Sequence, residues 1–240
     1  MIEESAGYRS VKDTSLRYVA SMKIGDEPGI YAKEKGEGPS FYGSYHAAHV
    51  LDLFGELSSL PAAHIDRWAA FFQGRQTRQG YFSNNPGDAV RERSPRGMDP
   101  VWHATRGAIW ALRILGRRPE RPVRFLAPLF ERGALRSYVM SYDWKDSWAA
   151  GNQLLACATA LFAQRDWFGE SGVSELMERE MYPVLEKLID PSTGYWGTQL
   201  GAGLADALFG TIHIAPIYFA EGWPLAHLER NADSTLSLQL

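Results

Sequence analysis

Three histidines, His46, His103 and His213, each stand near the start of an apolar helical pattern, and Asp143 and Asp146 occupy the equivalent place in a fourth segment. Aromatic residues crowd the same positions: Tyr45 and Trp102 directly precede two of the histidines, and Tyr142, Trp144 and Trp148 surround the aspartates. Carboxyls and imidazoles among aromatic walls are what proton-transfer or carbocation chemistry requires. A desolvated carboxyl keeps its proton near neutral pH, an imidazole accepts or returns one, and π faces stabilise positive charge. On this reading Asp146 or Asp143 is the acid, and His46, His103 and His213 are bases or positioning groups. Tyr45, Trp102, Tyr142, Trp144 and Trp148 form the substrate walls, Arg106 offers an anion contact, and Asn152 with Gln153 orients the substrate or a catalytic group.

Each of these residues also has a structural reading. His46 and His49, three apart on one helix face, form either a zinc pair or two packed, hydrogen-bonded side chains. Asp146 serves equally as the N-cap of a helix opening at Ser147-Trp148. Trp102, Trp110, Trp148 and Trp196 fit a core, and Arg106 fits a surface ion pair. His64 and His227 sit in outer-surface contexts.

A repeated phrase sets the positions of these groups. Gly25-Asp26-Glu27-Pro28-Gly29-Ile30-Tyr31, Gln76-Thr77-Arg78-Gln79-Gly80-Tyr81-Phe82 and Asp190-Pro191-Ser192-Thr193-Gly194-Tyr195-Trp196 each combine a turn-forming stretch, a Gly, one spacer and an aromatic. Between 14 and 20 residues later an apolar helix pattern opens, at Tyr45-His46, Trp102-His103 and Ile212-His213. The glycines lie 51 and then 114 residues apart, so a period of roughly 50 residues accounts for both gaps if one copy near 133–145 has lost its signature. Such a period denotes stacked supersecondary units.

Helix patterns run over 12–24, 44–57 with Ser44 as N-cap, 61–76 with Pro61 in the first turn, 101–116, 122–131, 146–164, 172–189 and 206–221. Pro216 is expected to kink the last of these, and Pro224 begins a tail. The total is about eight or nine antiparallel helices with no alternating run long enough for a sheet. The loops at 26–43, 83–100 and 193–206 are long and rich in Gly or Pro, as functional loops often are. No linker divides the chain, so 1–240 reads as one domain.

Hydrophobic residues make up 45% and charged residues 22%, the balance of a globular protein able to bury a core. The net charge of −3 and the absence of a long basic run disfavour nucleic acid. Cys157, the single cysteine, lies in an apolar run and rules out a disulfide framework. The start, Met1-Ile2-Glu3-Glu4-Ser5, lacks a secretory pattern, and no apolar stretch reaches the length of a membrane span. The expectation is a soluble cytoplasmic protein.

Gln76-x-x-x-Gly80-x-Phe82 resembles the QxxxGxW repeat of squalene–hopene-type cyclases, and Asp190-x-x-x-Gly194-x-Trp196 is a variant of it. The chain, over roughly 25–222, is similar in pattern to the α/α toroids of terpenoid cyclases and protein prenyltransferase β subunits. That resemblance implies an all-α fold: a double layer of antiparallel helices around a cavity, either an incomplete ring or one closed by homo-oligomerisation. Trp148-Ala149-Ala150-Gly151 and Gly210-Thr211-Ile212-His213 look like two zinc-site segments of the prenyltransferases. However, Tyr142 and Trp144 stand where Asp and Cys ligands would be. The cyclase DxDD and synthase DDxxD motifs are also absent, so neither metal nor cofactor is expected. The resemblance implies an enzyme that cyclises or isomerises a small, largely apolar substrate by acid–base chemistry. Two other readings stay open: carbohydrate processing as a lyase, epimerase or glycosidase, which α/α toroids also perform, and a non-catalytic helical-repeat binding module.

Overall fold

The computed structural model describes residues 6–26, 28–83 and 100–239. The expected loop 83–100 and the segment Met1–Ser5 therefore lie almost wholly outside the described residues. Among those described there is no strand. The α-helices are α1 (Ala6–Ser21), α2 (Phe41–Leu53), α3 (Ala62–Gln73), α4 (Pro100–Ile114), α5 (Ala134–Met140), α6 (Ser147–Phe168), α7 (Gly172–Glu180), α8 (Tyr182–Leu188), α9 (Leu204–Ala220) and α10 (Leu228–Ser237). The fold class is all-α. The described residues sort into two compact units. The first contains those up to 83 with 107–121, and the second contains 100–106 with 122–239, so α4 is divided between them.

The three phrases close in one way. Lys23, Gln76 and Ile189, just past the ends of α1, α3 and α8, form single antiparallel bridges to the phrase aromatics Tyr31, Phe82 and Trp196. The residue after each bridging position donates its N–H to the carbonyl just before the aromatic: Ile24 to Ile30 at 2.9 Å, Thr77 to Tyr81 at 2.9 Å, and Asp190 to Tyr195 at 2.8 Å. Gly29, Gly80 and Gly194 turn the chain at φ of 83°, 91° and 71°, a region that costs a residue with a Cβ free energy. The repeat read from sequence is therefore a clip that ends one helix and drives an aromatic into the core. All three aromatics are buried.

What anchors each clip differs. In the first unit the Ser44 hydroxyl accepts the Tyr31 N–H at 3.1 Å. Ser44 is therefore not the N-cap of α2. That position belongs to Ser40, which accepts from Gly43 N, and the helix starts earlier than its pattern suggests. At the second clip Gln76 spans two chain segments. Its Oε1 accepts Arg121 N–H at 2.9 Å, and its Nε2 donates to the carbonyls of Arg121 at 2.7 Å and Gly80 at 3.1 Å. Gln76→Ala would strand these buried groups and is expected to cost about 2 kcal/mol in thermal or urea unfolding. Gln76→Glu retains the acceptor but sets a carboxylate against two carbonyls, so it should rescue little.

In the second unit the third clip carries Asp190 instead of Gln. Its carboxylate accepts from Ser192 N–H at 2.8 Å and from the hydroxyls of Ser192 and Thr198, folding its own turn. Trp196 donates Nε1–H to Leu185 O at 2.8 Å, and its carbonyl accepts the Ser147 hydroxyl at 2.7 Å. α10, which the sequence pattern left as a tail, packs on this clip. Asn231 Nδ2 donates to Gly194 O at 3.1 Å, the Ser234 hydroxyl donates to Thr193 O at 2.9 Å, and the Tyr195 and Thr235 hydroxyls meet at 2.7 Å.

α6 is the buried axis of the second unit. Almost every residue from Ala150 to Ala163 is buried, and Cys157 is one of them, its thiol pushed above the usual range by burial. Its small residues let α9 approach until a side chain on Gly151 would meet Gly210 O at 2.6 Å. The segment 172–189 splits into α7 and α8 at Met181 because Pro183 cannot donate to Arg179 O. Arg136 Nη2 donates to that carbonyl instead, at 3.3 Å. Residues 133–145, where a repeat copy without its signature was expected, hold α5 and a turn with no bridge. Glu180 accepts the N–H groups of Gly133 and Arg136 at the start of α5. The pattern at 122–131 is a 3-10 helix, Arg124–Phe130.

Candidate functional site

Within the second unit, α4, α5, α6 and α9 bring one group of polar and aromatic side chains together. Trp102, His103 and Arg106, on the first turns of α4, are all buried. Arg106 Nη1 donates to Asn152 Oδ1 of α6 at 2.8 Å, a bond strengthened by its buried setting. Arg106 is buried, not on the surface. Next along α6, Gln153 donates Nε2–H to the Tyr138 hydroxyl at 3.3 Å, and its buried Oε1 has no hydrogen-bond partner among the described residues. Rings continue outward from Tyr138 to Trp102 at 6.4 Å and to Tyr142 at 5.3 Å, and Trp102 also meets Phe125 edge-on at 4.7 Å.

His213 of α9 has the geometry of an oriented base. Its Nδ1 lies 2.6 Å from Phe209 O. A carbonyl can only accept, so Nδ1 carries the hydrogen and Nε2 keeps its lone pair. Burial lowers the His213 pKa and the Arg106 charge lowers it further, outweighing the upward pull of the Phe209 carbonyl. The imidazole is therefore neutral at physiological pH. The Phe209 ring contacts Trp148 of α6 at 5.1 Å with the planes 33° apart. Trp148 is 49% exposed and Phe209 42%, so the pair forms an aromatic surface one turn from His213 rather than a piece of core.

The two aspartates expected to act as acids are engaged elsewhere. Asp146 is exposed and caps α6, accepting Ala149 N–H at 3.0 Å. Asp206, from the first turn of α9, accepts Ser147 N–H at 2.7 Å and Trp148 N–H at 3.3 Å on the same helix end. Two carboxylates thus meet the positive end of the α6 dipole. Asp143 is also exposed and accepts Lys145 N–H at 3.1 Å in a local turn. Trp144 is buried with its Nε1–H directed at Val139 O. Asp146→Ala is expected to cost about 1 kcal/mol in thermal unfolding, whereas Asp146→Asn, which keeps the cap, should melt close to the wild type.

Tyr45 and His46 belong to the first unit. Tyr45 is buried with its ring against Gly107, where any side chain would collide with it, and it contacts the rings of His46 at 4.3 Å and His49 at 6.3 Å. His49 meets Trp110 edge-on at 5.7 Å. His46 borders a cavity of its own unit. Among the described residues no three His, Cys, Asp or Glu side chains are grouped so as to hold a metal ion. No described helix is long and apolar enough to cross a membrane. Tyr138 and Phe209 were missed as site residues. Tyr138 lies in the stretch read as a degenerate repeat, and only a helix assignment there would have brought it level with Trp102.

No protein-family model, curated protein or solved structure matches this chain. Its class is therefore defined by its own geometry: an all-α protein of helices joined by glycine–aromatic clips, with a buried arginine, an oriented histidine and an aromatic surface in its second unit.

Proposed function

We propose that this chain is an enzyme of the α/α-toroid kind that removes a proton beside the carboxylate of a small anionic carbohydrate, with His213 as the base. The observation that carries the reading is the His213 arrangement. A neutral imidazole, fixed in one tautomer by Phe209 O, stands one turn from the Trp148–Phe209 surface. Sugar rings stack on exposed aromatic faces, and a base is most effective when its pKa lies near the working pH.

In this reaction Nε2 takes the proton from the carbon α to the carboxylate, and the C–H electron pair moves into the carboxylate as an enediolate. The β-oxygen then leaves with an electron pair, giving an unsaturated product, or a proton returns on the opposite face, giving the epimer. Arg106 supplies positive potential where the second negative charge develops, supported by Asn152. Tyr138, held by Gln153, is the group suited to deliver a proton. The expected partner is a small molecule and not a nucleic acid. Acid-initiated cyclisation of an apolar substrate ranks behind this reading because Asp143 and Asp146 are exposed and already bonded to backbone N–H groups.

The test is deuterium incorporation. Uronic oligosaccharides incubated with the protein in deuterated buffer should give either an epimer carrying deuterium at the carbon α to the carboxylate or an unsaturated product that has lost its hydrogen there. Absence of both exchange and product across a panel of uronates would overturn the proposal and favour a binding module.

A further inference from the structure

The first unit contains a cavity of about 220 Å³ lined in part by Val19 of α1, Met22 just past the end of α1, and Ala47 and Val50 of α2. Tyr31, the aromatic of the first clip, also lines it and is itself buried. Its hydroxyl is pushed above the usual tyrosine range by that burial, so it remains a proton donor. Any side chain on Gly43 would strike Ala32 O, so α2 rests directly on the backbone that follows Tyr31.

The polar side chains of the lining are those of Lys33, His46 and the tyrosines Tyr18, Tyr31 and Tyr42. The Lys33 ammonium stands 5.9 Å over the Tyr42 ring, and the His46 ring lies 5.0 Å from the same ring, so a cation and an imidazole flank one aromatic face. Glu34 approaches Lys33 at 3.7 Å, but both side chains are more than half exposed and the pair is screened by water. A largely apolar lining that includes the Lys33 ammonium is complementary to an amphipathic anion. The volume corresponds to about seven water molecules at ~30 Å³ each, smaller than a site for a drug-sized molecule, and suits a single ring with a short tail.

We infer that this cavity is a binding site for a small aromatic monocarboxylate, its ring against Val19, Met22 and Val50 and its carboxylate at Lys33 and His46. The site uses residues outside the proposed reaction, so its test needs no turnover. Phenylacetate titrated into the full-length wild-type chain should move the methyl resonances of Val19, Val50 and Met22 saturably. Phenethylamine, the same ring with an opposite charge, should bind at least about tenfold more weakly. Lys33→Gln, a change at an exposed position that leaves folding intact, should weaken phenylacetate by roughly three- to tenfold. Equal binding of the amine, an unchanged affinity in Lys33→Gln, or the absence of saturable shifts at these methyls would each overturn the assignment.

Discussion

Gly210→Ala is expected to destabilise the protein by about 3 kcal/mol, although alanine is the better helix former. In an ordinary helix interior the exchange would gain roughly 1 kcal/mol. Here the new methyl group would fall onto Ser147 Oγ and lie 2.6 Å from Ser147 O. Backbone cannot yield as a flexible side chain does, so α9 must move away from α6. That motion would also break the Ser147 hydroxyl bond to Trp196 O, which joins this crossing to the third clip. Gly151→Ala should behave similarly, because its methyl would meet Gly210 O at 2.6 Å. Gly172→Ala provides the control, since its nearest neighbour would be the Glu170 carboxylate at 3.9 Å, and it should be neutral or slightly stabilising. Urea unfolding of the three variants checks the claim. A Gly210→Ala protein as stable as the wild type would mean that the two helices do not cross at these glycines.

His213→Gln is expected to lower kcat/KM on the proposed substrates about a thousandfold, or ~4 kcal/mol of transition-state stabilisation. Glutamine approximates the imidazole in size and can still donate to Phe209 O, so the melting temperature should change little while the base is lost. In the wild type the rate should fall as pH drops, because the base works only when neutral. The midpoint should lie below the ordinary histidine value, since burial and Arg106 both disfavour the protonated ring. The stability sign follows from the same shift. A histidine whose folded-state pKa is depressed contributes fully above its unfolded pKa, and that contribution is lost as pH falls through the unfolded value toward the folded one. Proton NMR titration of the imidazole, assigned by its absence in His213→Gln, measures the midpoint directly. A His213 titrating above the ordinary value would remove the base from the mechanism.

The clips were legible in the sequence because their demands are local. A turn at positive φ selects glycine, a core-directed residue two positions on selects an aromatic, and neither requirement depends on distant chain. The all-α class followed in the same way from apolar spacing. Boundaries were less legible where a partner far along the chain decided them. Ser44 has the composition of an N-cap but is occupied by the Tyr31 N–H. α10, read as a tail after Pro224, is held by polar side chains that bond to the third clip.

The candidate site divides along the same line. Residue types and helix starts nominated His213, Arg106, Asn152, Trp102, Tyr142 and Trp148 from sequence. Sequence alone left Asp146 balanced between acid and cap, because an aspartate before Ser-Trp satisfies both patterns; the structure shows the cap, made to Ala149 N–H. Only the tertiary structure places Arg106 on Asn152, fixes the His213 tautomer through Phe209 O, and exposes the Trp148–Phe209 pair. The type of side chain and its place on a helix are encoded locally. Its pKa, tautomer and exposure are set by atoms that only folding brings within a few ångströms.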